Sequence, residues 1–207
     1  MNASNLKVVF LYISNVMTAN RDYLIKLDQK NGDGDLGISM TNGYRAVSDY
    51  LSTTNETDLG KLMMKSSLIF NEAAPSSLGT IMSFAMVGMA QSLRGKVKGS
   101  LMDIAQAMQS GVDKIMEKTG SKLGEKTVLD SLCPGIDALI SHANHTPKDA
   151  LKAALVAAQE GAENTKKMRA VHGRAAYYGD KSIGVIDSGA VAGSLLFEAL
   201  YQYITEA

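Results

Sequence analysis

The chain has 207 residues, and 21 Lys and Arg balance 21 Asp and Glu, so its formal charge is zero. That balance argues against a nucleic-acid binder, which needs basic excess to meet phosphate charge. The single cysteine, Cys133, excludes an intrachain disulfide and suits a reducing, cytoplasmic setting. The longest strongly apolar stretch, residues 81–90, is interrupted by Ser83 and Gly88. It falls well short of the roughly 20 residues of a membrane span.

The dominant period along the chain is helical. A first helix is predicted over residues 3–26. Its apolar start, Val8 to Ile13, reads as core helix rather than a leader, because Lys7 is the only basic residue before it. A Gly-rich loop follows over residues 27–37. Met40, Tyr44, Val47 and Leu51 then form one stripe of a helix over 38–51. Leu59, Leu62, Ser66 and Ile69 do the same over 57–72. The next helix, 77–93, is apolar nearly all round, which predicts a central, buried position.

Ser100 with Asp103 has capping-box spacing and opens a helix over 100–118, whose stripe is Leu101, Ile104, Met108, Val112 and Ile115. A helix over 127–143 places Cys133 in the core. Thr146 with Asp149, and Pro147 at the first helical position, open a helix over 147–168. A second long Gly-rich loop, 171–189, precedes a last helix over 189–205. Eight amphipathic helices with almost no period-two alternation predict an all-α, antiparallel bundle or barrel, as one domain over 1–207. The two long loops are where chemistry is expected.

The first loop interleaves Asp28, Asp33 and Asp35 with glycines that let the backbone curl. Converging carboxylates repel unless a hard cation sits among them. An EF-hand is rejected, since counting from Asn31 puts Leu36 at the required Gly and Asn42 at the required Glu. Mg²⁺ carrying a phosphate fits the donor set, and a solvated, helix-capping turn is the plain alternative.

Three motifs now converge. Asp28-x4-Asp33-x-Asp35 followed by Gly37, the stretch from Gly124 to Asp130, and the stretch from Gly173 through Gly184 into Asp187-Ser188-Gly189-Ala190 occur in order. Together they resemble the ADP-binding L subunit of phosphotransferase-system-dependent dihydroxyacetone kinase. The resemblance implies an eight-helix barrel with ADP and two Mg²⁺ at one end. It makes Asp28, Asp33 and Asp35 metal ligands and Arg174 the catalytic phosphate contact. Thr127 and Val128 would lie beside the nucleotide, Leu78 and Leu129 near adenine, and Asp187 and Gly189 in the closing loop.

The family's phosphate loop is rebuilt here as residues 71–80. Its glycines are replaced, Pro75 removes a donor and Glu72 adds charge. Ser76 and Ser77 stand in as phosphate contacts or helix caps, and Gly79-Thr80 matches. Leu36 and Val185 stand where the family has His, and Ser188 where it has Pro.

What the resemblance implies is a kinase subunit whose bound ADP is rephosphorylated by a phosphohistidine carrier. The phosphoryl group would pass to dihydroxyacetone, or a similar hydroxyketone, on a K-type partner. Two alternatives stand beside it: a non-catalytic metal- and phosphate-binding regulator or scaffold, and a kinase subunit using ATP directly. The sequence sets no oligomeric state, and a homodimer is compatible with it. His142, His145 and His172 read as surface residues, and Tyr177 and Tyr178 as core packing, with packing beneath the closing loop as the alternative.

Overall fold

The computed structural model describes residues 1–206. Its elements are α1 (Ala3–Ala19), α2 (Arg21–Asp28), α3 (Leu36–Thr53), α4 (Leu59–Ala73), α5 (Ser77–Ser92), α6 (Leu101–Thr119), α7 (Leu129–Ser141), α8 (Pro147–Asn164) and α9 (Ser188–Glu206). Short 3₁₀ stretches, Thr165–Lys167 and Arg174–Ser182, lie between α8 and α9. No strand occurs among the described residues, and no helix there is long and apolar enough to cross a membrane.

Local chemistry sets most boundaries. Ser100 Oγ accepts the Asp103 N–H at 3.1 Å while Asp103 accepts the Ser100 N–H at 2.8 Å, completing the expected box. Thr146 caps α8 ahead of Pro147, and Asp58 caps α4 through the Gly60 and Lys61 N–H groups. Gly120 closes α6 with φ 72°, a left-handed conformation that costs glycine little. The predicted first helix is interrupted at Asn20. Its Nδ2 donates to the Val16 carbonyl at 2.9 Å and its backbone sits at φ −98°, ψ 6°. A short amide side chain competing for helix carbonyls is the physical cause.

Successive helices pack on their neighbours, α3 on α4, α4 on α5, and so on to α8 on α9, and α9 returns against α1, which also packs on α3. The result is a closed ring of eight long helices, with α2 as a short extension leading into the acidic loop. Its interior is filled by Met40, Tyr44, Leu62, Met63, Phe70, Met82, Met86, Ile115, Leu129 and Phe197, all buried. Cys133 is buried as expected.

The apolar helix α5 is a stave of this ring, not its axis. It is clasped by α4 and α6, and Phe84 and Val87 keep partial exposure on its flank. An all-round apolar pattern cannot tell these positions apart, because a stave between two close neighbours also needs small or apolar residues on both sides. The closeness is visible at Gly88, where a Cβ would fall 2.2 Å from the Ser110 carbonyl oxygen. Gly88→Ala is therefore expected to force α5 and α6 apart and cost about 1–3 kcal/mol. Urea unfolding checks it, and an unchanged midpoint would show that the crossing is slack.

Candidate functional site

The acidic loop runs between the end of α2 and the start of α3 at one end of the ring. Asp28 is fixed by two donors. Its Oδ2 accepts the Gly34 N–H at 2.8 Å and its Oδ1 accepts the Ser188 hydroxyl at 2.8 Å, from 160 residues away. Gly34 has φ 80°, and a Cβ on Gly32 would lie 2.7 Å from Asp28 Oδ1. Two glycines thus let the chain fold tightly over the carboxylate. Asp28, Asp33 and Asp35 each offer an oxygen, all within 4.8 Å of one another. Partial desolvation, and then the charges of Asp33 and Asp28, hold the Asp35 carboxyl above its ordinary range. Across the mouth, Arg174 Nη2 meets Asp33 Oδ2 at 2.7 Å.

The opposite wall is built by the loop between α6 and α7 and by the segment after α8. Asp130, in the first turn of α7, accepts the Gly124 N–H at 2.6 Å and the Thr127 N–H at 2.7 Å. This pins a turn in which Lys126 takes φ 61°, the single positive φ among described non-glycine residues. The turn sends the Lys126 side chain inward, where it is 4% exposed. Its ammonium donates to the Thr165 carbonyl at 2.6 Å and the Val185 carbonyl at 2.5 Å, tying the end of α8 to the closing loop. Desolvation lowers the Lys126 pKa, opposed by the charges of Asp187 and Asp130.

Asp187 itself keeps some surface toward the cleft, yet its carboxyl is ringed by protein. Desolvation pushes it up to about 6, against the opposing pull of the Ala190 N–H and of Lys126. The Ala190 N–H donates to Asp187 Oδ2 at 2.7 Å, capping α9.

Between these walls lies a cleft of about 690 Å³. Its lining includes all three loop aspartates, Ser76, Ser77, Leu78, Thr127, Val128, Leu129, Arg174, Asp187 and Gly189. Acidic groups and a guanidinium stand at its mouth, and Leu78, Ile81, Ile115, Val128 and Leu129 give it an apolar interior. Such a site can take a ligand that is anionic at one end and flat and apolar at the other.

The DAK2 domain family matches this chain over residues 30–202. The chain belongs to the DAK2 domain family. Among its relatives is the ADP-binding subunit DhaL of the PEP-dependent dihydroxyacetone kinase of Escherichia coli K12, 27% identical over 187 residues and covered to 89% on both chains. The L-erythrulose 1-kinase of Mycolicibacterium smegmatis is 28% identical over 208 residues, with 98% of this chain matching 36% of that protein. In structure, the dihydroxyacetone kinase of C. freundii in complex with AMP-PNP and Mg²⁺ superposes with a TM-score of 0.77 at 24% identity. That match covers 98% of this chain and 34% of that one, so this chain spans about a third of its length. The likeness establishes the helical fold.

Within this DAK2 domain two residues expected at the site stand apart from the cleft lining. Gly79 is buried in the first turn of α5, where a Cβ would come within 1.9 Å of the Ala74 carbonyl oxygen, and Thr80 faces solvent on the same turn. Gly79 donates its N–H to Ser76 Oγ at 3.0 Å, so Ser76 acts as the helix cap while also lining the cleft. Glu72 is exposed and outside the lining.

Tyr177 and Tyr178 are not core residues, nor are they buried beneath the closing loop. They are 91% and 45% exposed, because Gly179 at φ 55°, ψ −129° turns the chain outward there. His172, read above as a surface residue, lines the cleft and pairs with Glu125 at 2.5 Å. Ser188 and Lys126 are the other contributors that motif reading passed over.

Proposed function

We propose that this DAK2 domain binds ADP or ATP with Mg²⁺ and serves as the nucleotide-bearing subunit of a kinase. The phosphoryl acceptor would be dihydroxyacetone or a similar small hydroxyketone held on a K-type partner. A phosphohistidine carrier would restore the bound ADP. The observation that carries this reading is the convergence of three carboxylate oxygens within 4.8 Å, faced by Arg174, at the mouth of a nucleotide-sized cleft.

The residues present suit the cation. All three donors are hard carboxylate oxygens, and Asp28 is oriented by Ser188 and Gly34. Burial, and then the charges of Asp33 and Asp28, raise the Asp35 pKa, and a positive charge among the three carboxylates offsets both. Asp28, Asp33 and Asp35 would hold the metal, two ions by resemblance, whose chemistry is neutralising phosphate oxygens. Arg174 would exchange Asp33 for a phosphate, offering a planar, bidentate donor set. Ser77, Thr127 and the N–H groups near Gly189 would line the phosphate path, with Leu78, Val128 and Leu129 against the base.

Thermal melting with ADP and Mg²⁺ tests it. At a hundredfold excess over Kd the expected gain is about 2.7 kcal/mol, or roughly 5–10 °C for a domain of this size. Asp33→Ala should lose the shift. No shift for the unaltered protein at millimolar ligand would remove the nucleotide from the reading.

One observation favours a second reading. The Ser76 hydroxyl is committed to capping α5 and Pro75 brings no donor to the same wall, so the phosphate grip is weaker than a glycine loop's. A non-catalytic metal- and phosphate-binding regulator would show the thermal shift without phosphoryl transfer to any K-type partner.

A further inference from the structure

We infer that His172, held in place by Glu125, is a second anion-binding residue of the cleft, acting beside Arg174 on the terminal phosphate of the bound nucleotide. The inference rests on the nucleotide reading above. It concerns two residues that belong to neither the carboxylate cluster nor the guanidinium contact.

The geometry is that of an imidazole positioned from behind. His172 Nε2 stands 2.5 Å from Glu125 Oε2. The same carboxylate oxygen accepts the Lys122 N–H at 2.7 Å, so Glu125 is itself fixed by its own loop. The Val171 N–H reaches the Glu125 carbonyl oxygen, docking the two segments side by side. His172 lines the cleft, whereas Glu125 does not. His172 therefore stands at the cleft with the Glu125 carboxylate behind it. His142 and His145 lie at the α7–α8 turn, away from the cleft lining.

Two further facts direct the imidazole toward phosphate. First, His172 is separated from Arg174 only by Gly173, whose φ 62°, ψ −158° is a conformation open mainly to glycine. Two residues of chain span at most about 7 Å between Cα atoms, so ring and guanidinium share one wall near the carboxylate cluster. Second, the Glu125 carboxylate occupies one ring nitrogen and fixes the ring from behind, leaving the other nitrogen for a ligand. The charges facing it are Glu125 and the Lys122 side chain from the α6–α7 loop, Arg174 on its own segment, and Asp28, Asp33, Asp35 and Asp187 across the cleft. The acidic groups draw a cation, and a cation-loaded carboxylate cluster leaves His172 and Arg174 to meet the ligand's anionic end. Glu125 acts through His172 and is a positioning residue.

Calorimetric titration of the full chain with Mg²⁺ and ADP, adenosine or pyrophosphate tests the inference. Losing one charge-assisted hydrogen bond is expected to weaken ADP binding about tenfold in His172→Ala. Pyrophosphate should weaken equally and adenosine should not change. Glu125→Gln should fall between His172→Ala and the unaltered protein, and His172→Lys should recover most of the affinity. A structural role would instead lower all three ligands together, with a lowered ligand-free melting temperature and no rescue by Lys. Unchanged ADP and pyrophosphate affinity in a folded His172→Ala protein would overturn the assignment, as would a protein that binds neither anion. If pyrophosphate binds and ADP does not, the nucleotide reading fails while the pyrophosphate series still decides the role of His172.

Discussion

Replacing Lys126 by Met is expected to cost about 2–5 kcal/mol of folding stability, a large part of the roughly 5–15 kcal/mol available to a domain. The ammonium reaches the Thr165 and Val185 carbonyls from inside the wall, and the Thr165 carbonyl also accepts the Met168 N–H at 3.1 Å. Met keeps the length and apolar bulk of the stem but removes two charge-assisted bonds, leaving the Thr165 carbonyl with the Met168 N–H alone and the half-buried Val185 carbonyl without the ammonium, each loss at about 1–3 kcal/mol.

The loss should also depend on pH, and the sign follows from Asp187. Its folded pKa is raised from 3.8 to about 6. The native state therefore binds the proton more tightly than the unfolded chain does, and stability falls as pH rises from about 4 to about 6. Lys126 offsets part of that cost once Asp187 is ionised. Without the ammonium the carboxyl rises further, and the decline extends toward neutrality. Urea unfolding at pH 5 and pH 8 should show a larger Lys126→Met penalty at pH 8. An equal penalty at both would mean the ammonium serves only the two carbonyls.

These cases show what a linear sequence makes legible. The eight-helix ring was readable because its periodic stripes and caps are local, as with Ser100–Asp103 and Thr146–Pro147. The acidic loop was readable because three carboxylates and their glycines lie within eight residues. Each miss depends on a long-range partner or on direction. His172 gains meaning only when Glu125, 47 residues away, closes on it. Ser188 does so when Asp28 arrives from 160 residues away. Lys126 resembles any surface lysine until a positive φ turns it inward. Gly79 and Thr80 match by motif, yet in the first turn of α5 Gly79 is packed so closely on the Ala74 carbonyl that a Cβ would not fit, and Thr80 faces solvent.

Arg174→Met should separate catalysis from stability in the opposite sense to Lys126→Met. Its guanidinium is mostly exposed, and its ion pair with Asp33 sits at the cleft mouth. Exposed pairs of this kind contribute about 0–1 kcal/mol, so the melting temperature should move by no more than a few degrees. Removing a donor aimed at charge that develops in phosphoryl transfer costs about 10²–10³ in rate. With a K-type partner and a phosphoryl source supplied, the Met variant should therefore be folded and nearly inactive. Arg174→Lys should recover only part of the rate, since an ammonium keeps the charge but not the planar fork. The contrast depends on where each cation spends its hydrogen bonds. Lys126 gives two to backbone that the fold requires, whereas Arg174 gives one to a carboxylate that a metal can take over, leaving it free for the ligand. A variant at Arg174 that unfolds, or that transfers phosphate as the unaltered protein does, would break that division of labour.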